Sequence, residues 1–89
     1  MDYFGYKNNV LCAEDVDINT LAKKYGTPLY VYSHRTITEH FRKIKSAFSD
    51  MPTLICYSVK ANSNLTFLNV LAKEGSGFDI VSGGELYRV

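Results

Sequence analysis

Apolar residues recur along this chain with two periods, one near 3.6 and one of 2, and the segments that carry them alternate. In DINTLAKKYGTP, Ile18, Leu21, Ala22 and Tyr25 fall at i, i+3, i+4 and i+7, which is one face of a short helix. Asp17 can cap its start, and Gly26 with Pro28 behind it supplies a stop. From Ser33 a longer helix is signalled by SHRTITEHFRKIKSAFSD, where Ile37, Phe41, Ile44 and Phe48 share a stripe with charges between them. Its basic run HFRKIK reads as a solvated helix face. A third helix, LTFLNVLAKEG, sets Leu65, Leu68, Leu71 and Ala72 on one side, with Ser63 or Asn64 as its cap and Gly75 as a left-handed terminator. GGELYRV opens a fourth.

The intervening segments have the β-type composition and short apolar runs of strands. The opening YFGYKNNVLCAEDVDI predicts strand and turn; PLYVYS, TLICYSVKA and GFDIVS each predict a strand. From Ser33 onward the order is helix, strand, helix, strand, helix, the signature of βαβ units in a parallel sheet. Two parallel strands cannot close a barrel, and a whole (β/α)8 barrel takes about 250 residues. The 89 residues therefore read as the first piece of a larger α/β protein, ending inside a helix.

Composition narrows the class without naming it. With 46% hydrophobic and 21% charged residues and a formal net charge of +1, the chain is ordinary globular protein. That balance gives no electrostatic reason to expect nucleic acid or an anionic membrane as a partner. No apolar run reaches the length of a membrane span and MDYFGYKNN is no signal peptide, so a cytoplasmic location is expected. Cys12 and Cys56 lie far apart and read as small buried thiols in a reducing compartment rather than as a disulfide. His34 and His40 would sit on different faces of a helix, so no metal site is expected from them.

One position stands out against this background. Side chains alternate along a strand, so in LICYSVK the residues Leu54, Cys56, Ser58 and Lys60 share one face. Ile55, Tyr57 and Val59 share the other, which suits a cover of helices. The first face turns polar towards its C-terminal end and finishes in an amine, at the end where parallel α/β folds bind ligands. In the next strand Phe78 and Ile80 would face the helices, leaving Asp79 and Val81 on the side of Lys60. Two readings of Lys60 stay open: a lysine that forms an imine with an aldehyde or ketone, or one that merely snorkels from a strand end towards a carboxylate. On the first reading Asp79 is a counter-charge for a protonated nitrogen.

The motifs YSVKANSN and LAKEGSGFDIVSGGELYR, in that order, closely resemble the N-terminal part of the fold-type III pyridoxal-phosphate-dependent decarboxylases. The opening FGYKNNVLCAEDVDINTLAKKYGTPLYVYS is similar to the entry segment of the diaminopimelate decarboxylase branch, and the likeness covers practically the whole chain. The resemblance implies an alanine racemase-like (β/α)8 TIM barrel beginning within 34–89, preceded by a segment, 1–33, that contributes to a β-rich second domain. It implies pyridoxal 5'-phosphate as cofactor, held by Lys60, with Asp79 close to that lysine and Ser58 one inward position below it, against the cofactor ring. It further implies decarboxylation of meso-2,6-diaminopimelate to L-lysine in lysine biosynthesis, by a cytoplasmic homodimer with active sites at its interface.

Related branches act on ornithine, arginine or carboxynorspermidine, and a non-catalytic regulatory homologue is the alternative of another class. The resemblance implies that the family's phosphate-binding glycine turn, the acid paired with the pyridine nitrogen, the substrate-reading residues and the cysteine acid that the partner subunit supplies as proton donor lie beyond Val89, so these 89 residues alone are expected to be inactive. SGGE at Ser82–Glu85 reads either as a phosphate cradle or as a plain strand-to-helix turn. The late position of the phosphate site in barrels favours the second.

Overall fold

A computed structural model describes residues 3–89, which fall into two compact units divided at Thr36/Ile37. In the first, β1 (Phe4–Lys7), β2 (Val10–Ala13) and β3 (Val16–Asp17) form an antiparallel meander. Asn8 and Asn9 join β1 to β2 with φ of 51° and 64°, the pair of left-handed residues that a two-residue type I′ hairpin demands and that asparagine tolerates best. Glu14 also has a positive φ, 57°. Helix α1 (Ile18–Tyr25) begins where the Asp17 carboxylate accepts from the Asn19 N–H at 2.7 Å and stops at Gly26, φ 80°. Cap and stop are the ones the sequence predicts. Tyr25, assigned to the apolar face, is exposed.

PLYVYS does not form a strand. No strand runs beside it among the described residues, and Tyr30 is 86% exposed. Propensity favours an extended backbone but cannot supply a ladder partner. The segment ends at a polar knot: the Ser33 hydroxyl is buried, donates to a Glu14 carboxylate oxygen at 2.8 Å and accepts from the Thr36 N–H at 3.1 Å. The same Glu14 oxygen accepts from the Arg35 N–H at 3.2 Å. Two free N–H groups at the start of α2 (His34–Ala47) are satisfied in this way.

The second unit holds the βαβ element. β4 (Cys56–Ser58) and β5 (Gly77–Asp79) pair in parallel, linked by α3 (Leu65–Lys73), and α4 (Gly83–Arg88) follows. Both strands are shorter than the apolar runs that announce them, for a two-stranded ladder leaves each strand one open edge. Asn64 caps α3 by accepting from the Phe67 N–H at 3.1 Å, and Gly75 follows its end with φ 94°. The core is Thr38 and Phe41 of α2, Val59, and Leu68 and Leu71 of α3. Ile44, Phe48 and Leu65, all placed on apolar stripes, are exposed, so only the middle of each stripe is covered. Arg42 forks onto the Glu74 carboxylate (2.6 and 2.9 Å), which fastens α2 to the end of α3. Cys12 is buried as expected; Cys56 is exposed, and both are free thiols.

Candidate active site

The geometry around Lys60 begins with the ladder. Its register pairs Cys56 with Gly77, Tyr57 with Phe78 and Ser58 with Asp79. Parallel partners in register point the same way, so Ser58 and Asp79 stand side by side on one face at the C-terminal ends of both strands. The two-faced reading holds on the other side as well. Val59 is fully buried, Ile55, Tyr57 and Phe78 are half-buried, and Leu54, Cys56 and Asp79 are exposed.

Lys60 departs from the predicted placement. It lies not on the strand but in a one-turn 3-10 helix, Val59–Ala61, that begins as the ladder ends. Strict alternation therefore stops at Ser58, and Lys60 follows from a turn whose first residue is the buried Val59. The turn is closed by the Asn62 N–H donating to the Val59 carbonyl at 3.2 Å. Lys60 is exposed, and among the described residues no ion pair joins it to Asp79. The C-terminal edge of the parallel ladder thus carries a hydroxyl and a carboxylate, and an exposed primary amine follows in the turn that begins where the ladder ends. An amine can take an aldehyde, and the neighbouring polar pair can receive a charged or hydroxylated ring, so this donor set suits a carbonyl-bearing cofactor.

Two further features were not legible from spacing. The Tyr57 hydroxyl donates to the Asn62 carbonyl at 3.1 Å, just past the lysine turn. The Asn62 side-chain oxygen accepts from the Asn64 N–H at 3.0 Å, linking that turn to the cap of α3. A tyrosine at a strand end was the available signal, since a phenol among apolar neighbours usually finds a partner.

SGGE is the plain turn. The Ser82 hydroxyl accepts from the Glu85 N–H at 3.1 Å, and the Glu85 carboxylate accepts from the Val81 N–H at 3.1 Å. The chain's own side chains take up these donors and place an acid at the start of the helix.

Residues 34–89 match the family described as "Pyridoxal-dependent decarboxylase, pyridoxal binding domain". The chain belongs to that family, whose cofactor is pyridoxal phosphate. Its similarity to individual members is higher still. It is 58% identical over 90 residues to the diaminopimelate decarboxylase of Vibrio cholerae, covering all of this chain and 22% of that protein. The diaminopimelate decarboxylase of Haemophilus influenzae is 55% identical over all of this chain and 21% of its own length. The crystal structure of the M. jannaschii diaminopimelate decarboxylase in complex with L-lysine superposes with a TM-score of 0.91 at 38% identity, over 98% of this chain and 21% of that one. The chain therefore spans about a fifth of the length of the relatives it matches.

Proposed function

We propose that these residues are the N-terminal part of a diaminopimelate decarboxylase, which converts meso-2,6-diaminopimelate to L-lysine and carbon dioxide. Identity of 53–58% to four diaminopimelate decarboxylases over the full 89 residues is the observation that carries the reading. On this reading 34–89 begin a (β/α)8 barrel and 1–33 join a β-rich second domain. The parallel ladder with its polar C-terminal edge supports the first assignment, and the antiparallel meander the second.

Lys60 is the residue that holds the cofactor, through its primary amine. Ser58 borders the cofactor ring, and Asp79 sets negative charge beside it. Pyridoxal phosphate, when bound, takes up the electron pair left behind as carbon dioxide departs. The protein orients the carboxylate so that this bond is the one that breaks, and a proton then replaces carbon dioxide at the same carbon. The enzyme works as a cytoplasmic homodimer whose sites lie at the subunit interface, an assignment that rests on the family likeness alone.

The test is substrate preference. Full-length protein is expected to release carbon dioxide from meso-diaminopimelate far faster than from ornithine or arginine. Preference for either of those would assign it to a different branch of the family.

A further inference from the structure

The turn that carries Lys60 is held from the far side of its own strand. Tyr57 lies on the helix-facing side of β4, its ring 5.3 Å from that of Phe67 in α3 at an interplanar angle of 45°. From there its hydroxyl reaches the Asn62 carbonyl at 3.1 Å. Asn62 in turn closes the 3-10 helix through its N–H on Val59, and its side chain receives the Asn64 N–H. Asn64 caps α3 at Phe67, the residue whose ring touches Tyr57. Strand, lysine turn and helix start are thus joined in a closed circuit, with Lys60 exposed upon it.

The hydroxyl is the informative atom. The neighbours of Tyr57 on this face, Ile55 and Val59, are aliphatic, and a phenylalanine would fill the same space. A single 3-10 turn has poor hydrogen-bond geometry and frays easily, so a second bond across it has a marked effect on its order. We propose that Tyr57 is a positioning residue for Lys60: its hydroxyl, bonded to the Asn62 carbonyl, fixes the 3-10 turn and with it the place of the lysine amine. This rests on the reading that Lys60 holds the cofactor.

The test compares full-length wild type with Tyr57→Phe, which keeps the ring beside Phe67 and removes the hydroxyl that bonds the Asn62 carbonyl. Hydrogen exchange over Val59–Asn62 is expected to quicken about tenfold, the effect of one neutral hydrogen bond. The kcat for decarboxylation is expected to fall about tenfold with KM changed less than twofold, because a misplaced reacting group costs rate more than binding. The pH profile of the bound cofactor's absorbance is expected to shift as well. Faster exchange with kcat and absorbance unchanged would reduce Tyr57 to a structural role and overturn the proposal, as would no change in any of the three.

Borohydride mapping of the cofactor on the wild type separates the two levels. An adduct on another lysine overturns the reading of the site and this proposal with it. An adduct on Lys60 with an unaltered Tyr57→Phe enzyme overturns this proposal alone. If the variant does not fold, wild-type exchange decides: the Asn62 amide, which donates to the Val59 carbonyl, is expected to be as protected as the amides of α3, and exchange at the rate of an open loop shows that the turn is not held and overturns the proposal.

Discussion

The sulfur of Cys56 occupies the space in which a side chain at Gly77 would begin. The two residues are partners across the parallel ladder, and a Cβ on Gly77 would lie 2.8 Å from Cys56 Sγ. What a side chain at Gly77 would meet is this close approach, and not an unfavourable backbone conformation, so the sulfur would have to shift. The cysteine side chain and the glycine are a matched pair, set two residues before Ser58 and Asp79 in the same register.

Gly77→Ala is therefore expected to destabilise full-length protein by about 1 kcal/mol, the low end of the cost of overfilling a packed contact. Cys56→Ala removes the sulfur and should recover most of that loss in the double variant. Urea unfolding of the four proteins in the cycle measures the coupling. Equal losses from Gly77→Ala in both backgrounds would show that the sulfur is not the obstacle.

A second expectation concerns acid. The Glu14 carboxyl is held below its ordinary value of 4.5, first by the Arg35 backbone N–H and then by the Ser33 hydroxyl. A carboxyl whose folded pKa is depressed adds stability that is fully present above the unfolded value and is lost as pH falls through the folded one. Glu14→Gln should therefore have a lower thermal midpoint than wild type at neutral pH. The gap should narrow as the pH is taken progressively below 4.5. A gap that stays constant across that range would mean the ionised carboxylate is not what secures the start of α2.

Much of this architecture could be read from the order of residues alone. Asp17 and Asn64 are short polar side chains ahead of apolar periodic runs, and each caps the helix it precedes. Gly26 and Gly75 end helices with positive φ. Such features are local, and local chemistry decides them. The parallel pairing of β4 with β5 followed from the alternation of element types, and with it the shared face of Ser58 and Asp79.

What escaped reading depends on partners distant in sequence or on competition at an element's end. PLYVYS has the composition of a strand and, among the described residues, no strand beside it to pair with. The lysine turn was hidden because SVKA continues the strand's alternation, whereas the backbone there is bent by the bonds from Asn62 to Val59 and from Tyr57 to Asn62. Cys56 is exposed because its face of the ladder carries no covering layer among the described residues. Membership of the family, by contrast, rested on two long motifs in order, which needed no fold at all.

The central claim is that Lys60 holds the cofactor, and the most direct measurement is to fix that bond and find it. Full-length protein is reduced with borohydride, digested and mapped by peptide mass spectrometry. The pyridoxyl mass is expected on Lys60. Lys60→Ala should lose both the label and the bound-cofactor absorbance, with its thermal midpoint within a few degrees of wild type because the side chain is exposed. A label on Lys7, Lys23 or Lys73, with Lys60 unmodified, would contradict the account.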